Sequence, residues 1–274
     1  CILLMKICRE FLFADKEPGI AVCILYACGM AGIATLLLIR MYAMLTFFCM
    51  AALYLHMKKK KTGRWKYQNK LLVLVTVCGF LTQYYFVIFM LFLAGITVVY
   101  LWRTEKKSLL YYIRTMGISA VLGLCIFPFS VSDVLYSERG VESVQNLGGG
   151  FSGLGERLGH FWKIVLEQVL GGGAGTGIFL ITVAAALVCW GLVKLGQDRE
   201  LAKVKKVERE KARRSKGSPV WEYSMICVPC IGYFLVVVKI APYYADRYLM
   251  PVFPLMALLM GIVLRKSLDF LGKY

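Results

Sequence analysis

The sequence has 274 residues, is 59% hydrophobic and carries a formal net charge of +17. Soluble globular chains are only about 45–50% apolar, so the composition excludes an ordinary soluble domain and gives an all-α, polytopic transmembrane helix bundle. The basic residues cluster between apolar runs, so the charge excess reads as positive-inside topology, with no nucleic-acid partner.

Taken in order, Cys1–Cys8 is already apolar and does not open on Met; it reads as the end of a helix begun upstream, in an N-terminally truncated chain. Gly19–Ile39 is long enough to span a bilayer. Arg40-Met41-Tyr42 interrupts, and a second apolar run reaches Met57. Lys58-Lys59-Lys60-Lys61 with Arg64, Lys66 and Lys70 then forms an acid-free basic block expected in the cytoplasm. Leu71–Leu101 is followed by Arg103, Lys106 and Lys107, which also require the cytoplasmic side. Two short crossings turning near Gln83-Tyr84-Tyr85 keep both basic blocks inside, so a helical hairpin is expected.

Ser108–Phe129 crosses outward, and Ser130–Gly155 reads as a polar outer loop with Asp133, Glu138, Arg139 and Glu142. Leu158, Phe161, Trp162, Val165, Leu166 and Val169 then recur at helical spacing. They predict an amphipathic helix in the outer interface, broken by Gly171-Gly172-Gly173. The alternative is the first turn of the next spanning helix. Gly177–Val193 crosses inward, and Lys194–Lys216 is a second basic cytoplasmic block that could also bind anionic lipid. Trp221–Val238 and Tyr248–Leu264 complete eight crossings plus the N-terminal stub. The chain is thus one transmembrane domain, 1–274, with an outer loop and interfacial helix at 130–176 and a basic cytoplasmic loop at 194–220.

The outer face then gathers Arg40, Tyr42, Gln83, Tyr84, Tyr85, Asp246, Arg247 and Tyr248 as candidate substrate-binding residues. A forked guanidinium suits a phosphate, and tyrosines suit sugar faces and hydroxyls, although tyrosine at an interface is also an ordinary aromatic belt. Asp246 can equally pair with Arg247. The ten cysteines sit in or beside apolar runs and read as small packers, including the Cys227-Val228-Pro229-Cys230 spacing. Two histidines, His56 and His160, are too few for a histidine metal site, so no metal is expected. Gly171–Gly177 lacks the Lys-Ser/Thr of a phosphate loop and reads as a flexible connection.

Three stretches occur in a telling order: Ile39-Arg40-Met41-Tyr42-Ala43-Met44-Leu45, Gly79-Phe80-Leu81-Thr82-Gln83-Tyr84-Tyr85-Phe86, and Arg247-Tyr248-Leu249-Met250-Pro251-Val252-Phe253-Pro254-Leu255. Together they resemble the GT-C superfamily of membrane glycosyltransferases, the protein-mannosyltransferase and lipid A aminoarabinose-transferase group, with Gln83 where many relatives carry His. The resemblance covers about residues 20–260. It implies a cell-membrane enzyme of the cell envelope that takes a sugar from a polyprenyl-phosphate donor, with no certain cofactor. The acceptor would be a glycan, lipid or protein outside the cytoplasm. It further implies that Arg40 and Arg247 hold the donor phosphate, and that the general base lies in a first outer loop upstream of Cys1. Asp133 and Asp246 do not match that base, so no catalytic residue is named. A transporter or flippase of lipid-linked sugars, or a non-catalytic subunit binding them, are the alternatives.

Overall fold

The computed structural model describes residues 1–13, 17–37, 41–63, 69–148, 153–171 and 220–271. Among these the chain is all-α. The elements are α1 (Ile2–Ile7), a π-helical turn (Cys8–Leu12), α2 (Glu17–Cys28), α3 (Met30–Leu37), α4 (Met41–Thr62), α5 (Asn69–Thr82) and α6 (Tyr85–Thr104). They continue with α7 (Lys106–Ile126), α8 (Ser130–Tyr136), α9 (Glu138–Gly148), α10 (Leu154–Leu170), α11 (Val220–Ile240), a 3-10 turn (Asp246–Leu249) and α12 (Val252–Leu271).

Four described helices, α4, α6, α7 and α11, are long and apolar enough to cross a membrane, against the eight crossings expected from the sequence. The physical reasons differ from place to place. The first apolar run breaks at Gly29 into helices of 12 and 8 residues. α5 has 14 residues, a rise of about 21 Å against about 30 Å of hydrocarbon. α12 carries Arg265, Lys266 and Asp269 in its last turns. The expected crossing at 177–193 and the basic block at 194–216 lie outside the described residues. Within the segment expected as an outer loop, Ser130–Tyr136 and Glu138–Gly148 are helical, α8 and α9.

Prolines set the start of α12. The chain passes through the 3-10 turn and Pro251 before α12 begins at Val252, later than the expected Tyr248. Pro254 falls in the first turn, where the backbone N–H has no helical partner to lose.

The bundle is closed by α11 on α6. Tyr85, Phe86, Phe89, Met90, Leu93, Thr97 and Leu101 form the buried stripe of α6. Met225, Ile226, Cys230, Tyr233 and Val237 form that of α11. At Gly232 an added Cβ would lie 2.4 Å from the Phe92 ring, so only glycine lets the two helices approach this closely. Between α4 and α7, His56 is fully buried: its Nδ1 lies 2.7 Å from the Ala52 carbonyl and its Nε2 lies 2.9 Å from the Tyr112 hydroxyl. A carbonyl only accepts, so Nδ1 carries the proton and Nε2 accepts from Tyr112.

The two ends of this bundle differ chemically. At one end Lys60 pairs with Glu222 at 2.9 Å and lies over the Tyr100 ring at 5.9 Å, Tyr100 packs edge-on against Trp221, and Lys266 lies 4.4 Å over Tyr223. The Tyr54 hydroxyl near this end donates to Glu10 at 3.1 Å, and Lys61 donates to the Glu10 carbonyl at 2.6 Å. Topology puts Arg103, Lys106 and Lys107 there too, at the junction of α6 and α7. The opposite end, where α4 and α6 begin and α11 finishes, is aromatic.

Candidate functional site

The aromatic end is built from four chain segments. The α5–α6 hairpin turns at Gln83-Tyr84, where the Gln83 N–H donates to the Gly79 carbonyl at 3.3 Å and the Phe86 N–H to the Gln83 carbonyl at 3.0 Å. The hairpin tip expected from the sequence is therefore present, and it points Tyr85 into the bundle, fully buried, while Tyr84 stacks on its outer side at 4.8 Å. Tyr42, in the first turn of α4, meets the Tyr248 ring edge-on at 6.1 Å. Tyr248 packs 5.2 Å from Tyr85 and 5.7 Å from Tyr243. The Tyr233 hydroxyl, from α11, donates to the Tyr248 carbonyl at 2.9 Å and anchors the 3-10 turn to the bundle.

Arg247 sits on this cluster. Its guanidinium lies over the rings of Tyr243 at 5.1 Å and Tyr248 at 5.4 Å, a cation–π arrangement, and donates to the Tyr243 hydroxyl. Its Nε is buried with no hydrogen-bond partner. Burial works against the charge, but the Tyr248 hydrogen bond and the nearby phenols of Tyr42 and Tyr243 outweigh it and hold the pKa above the ordinary arginine value.

Asp246 does not neutralise Arg247. Its Oδ1 accepts the backbone N–H of Arg247 at 2.7 Å, and its Oδ2 lies 3.5 Å from the Gln168 amide nitrogen. The carboxylate thus shapes the 3-10 turn, and no ion pair joins it to the guanidinium among the described residues. The arrangement leaves a forked cation facing an aromatic cup with its charge unmatched by any described carboxylate. Such a group can hold an anionic oxygen.

Of the residues expected at the site, Tyr42, Tyr84, Tyr85, Asp246, Arg247 and Tyr248 come together at one end of the bundle. Gln83 stands half-buried at the hairpin tip beside them. Arg40 lies outside the described residues, and of Asp133 only the backbone is described, in α8.

Several neighbours were not singled out as site residues. Arg157 of α10 donates through Nε to the Val238 carbonyl at 2.9 Å and through Nη2 to the Ala241 carbonyl. These are terminal carbonyls of α11 that have no partner of their own, and a cation there also matches the helix dipole. Tyr244 lies 4.4 Å from the His160 ring and 5.8 Å from the Arg157 guanidinium. Polar residues at helical spacing mark the α10 face, but nothing in the sequence links that face to the end of α11. Arg157→Ala is expected to lower thermal stability by about 1–3 kcal/mol, because it leaves two part-buried carbonyls unpaired. Thermal unfolding in detergent reads this, and an unchanged midpoint would show that water replaces the guanidinium at no cost.

Among the described residues, no three His, Cys, Asp or Glu side chains group as a metal site. Comparison with protein-family models, curated proteins and solved structures finds no match to this chain.

Proposed function

We propose that the protein is a multi-pass membrane glycosyltransferase that takes a sugar from a polyprenyl-phosphate donor and passes it to a glycan, lipid or protein acceptor on the extracytoplasmic side. The observation that supports this most is Arg247: a guanidinium with a buried, unpartnered Nε, set among Tyr42, Tyr85, Tyr243 and Tyr248. A donor phosphate gains negative charge as its bond to the sugar breaks. A fixed cation that meets it without first shedding a carboxylate stabilises that charge selectively. Tyr84 and Tyr243 are exposed beside it and offer ring faces to a sugar. In this reading these residues hold the donor, and none of them is assigned as the base that deprotonates the acceptor.

The test is release of labelled sugar from a polyprenyl-phosphate donor by the full-length protein in liposomes, with and without acceptor. Acceptor-dependent transfer supports the reading. Movement of intact donor between leaflets without sugar release would replace it with a flippase.

Orientation gives a second prediction. With the lysine-rich end in the cytoplasm, Gln83→Cys should react with an impermeant thiol reagent from the outside of intact cells and not from the inside of inverted vesicles. The native cysteines are first replaced by Ala or Ser. Labelling from the cytoplasmic side alone would overturn the orientation.

A further inference from the structure

α5 and α7 both leave the lysine-rich end and run side by side in the same direction. Between them lies a cavity of about 640 Å³. Val73, Leu74 and Val77 of α5 and Ile118, Leu122 and Ile126 of α7 form its apolar length. Lys70 and Arg114, with Tyr111, line the end nearest the lysine-rich face, and no acidic residue lines it anywhere. Neither cation has a hydrogen bond or ion pair among the described residues.

This placement is costly as it stands. α7 is long and apolar enough to cross the membrane, yet only 22% of its spanning window is buried, so most of its surface faces outward. Arg114 lies eight residues beyond Lys106, roughly 12 Å along the helix, and is exposed. A charged side chain at such depth needs a partner or a route to water. Leu74, Ile118, Leu122 and Ile126 are exposed along the same groove. Two cations with no partner among the described residues, at the mouth of an apolar slot, complement a molecule with a phosphate at one end and a hydrocarbon chain behind it. A free phosphate would leave most of the slot unfilled, and an apolar helix would leave both charges unmatched.

We propose that this groove binds one anionic phospholipid of the cytoplasmic leaflet, its phosphate between Lys70 and Arg114 and one acyl chain along Val77, Ile118, Leu122 and Ile126. That leaflet is the anionic one, and basic side chains near it attract its headgroups. The site stands at the opposite end of the bundle from Arg247, so it does not rest on the glycosyltransferase reading.

The experiment is native mass spectrometry of the full-length protein in detergent, titrated with phosphatidylglycerol or with phosphatidylcholine of identical chains. The parent protein should retain phosphatidylglycerol about thirtyfold more tightly. K70Q and R114Q should each weaken it about fivefold and the double variant about thirtyfold, with phosphatidylcholine unaffected. Leu122→Trp, which fills the slot, should weaken both lipids. The two cations are exposed, so their variants should melt as the parent does, which separates lost binding from lost folding. Equal retention of the two lipids, no effect in K70Q/R114Q, or displacement of phosphatidylglycerol by inorganic phosphate at equal concentration would each overturn the proposal. The last outcome would mark a site for a free anion.

Discussion

Arg247→Ala is expected to lower sugar transfer from a polyprenyl-phosphate donor about 10²–10³-fold, the range seen when one fixed donor to a developing negative charge is removed. The expectation follows from how little else among the described residues at the site could replace it. The carboxylate of Asp246 is committed to the turn, at 2.7 Å from the Arg247 backbone N–H, and does not neutralise the guanidinium. The surrounding groups are phenols: Tyr243 accepts from Nη2, and the rings of Tyr243 and Tyr248 support the charge from below. Removing the guanidinium leaves no described cation within that cup.

Two further variants separate charge from shape. Arg247→Lys keeps the charge but loses the fork, so it should fall between the parent and the alanine variant. Tyr243→Phe removes one phenol that fixes the guanidinium and should cost less than either. Because Arg247 is only half-buried, its alanine variant should melt within about 3 °C of the parent, the range for a substitution outside the packed core. Transfer assays and melting curves on the same preparations check all three. Full activity in Arg247→Ala would remove this residue from the donor site.

How much of this was legible in the sequence depends on where the membrane makes patterns informative. α10 was readable because one face packs against protein and the other does not: Phe161 and Val165 are fully buried, and Gly171 ends the helix at φ +77 as the glycine run suggested. The hairpin tip was readable because two basic blocks had to share one side. In the spanning helices both lipid-facing and protein-facing positions are apolar, so hydropathy does not say which stripe of α6 or α11 is buried. Length was misread for a related reason. The apolar run from Gly19 looks continuous, yet at Gly29 the backbone breaks, with the Gly32 and Ile33 N–H groups both turning to the Gly29 carbonyl. The partnership of Arg157 with the carbonyls of α11 joins residues about 80 positions apart; no local pattern encodes it. Arg247, Tyr85 and Tyr248 stand out in the sequence because the basic blocks put their stretches at the opposite face, where a forked cation among tyrosines is unusual.

Gly79→Val should be the most damaging substitution outside the cup itself. An added Cβ at Gly79 would lie 2.5 Å from the tip of the Phe86 ring and 2.6 Å from its two flanking carbons. Phe86 is only 1% exposed and has nowhere to retreat. Forcing extra atoms into such a contact costs about 1–3 kcal/mol. For Gly79→Ala, the better helix propensity of alanine offsets roughly 0.5–1 kcal/mol of that, but alanine already carries the clashing Cβ, so it too should destabilise, with valine near the upper limit. The effect should reach the site because Phe86 follows Tyr84 and Tyr85 directly in the chain. Pushing the hairpin open moves Tyr85 away from Tyr248, now 5.2 Å off, and a displacement of about 1 Å at a positioning group can cost about 10²-fold in rate. Gly79→Val is therefore expected to lower both the melting temperature and sugar transfer. A compensating Phe86→Leu, which shortens the ring at the pinch, should recover part of both losses. Recovery of stability without activity would show that the ring of Phe86, and not the closure of the hairpin, places Tyr85. A valine variant that melts and turns over like the parent would show that the α5–α6 tip is held by something other than this contact.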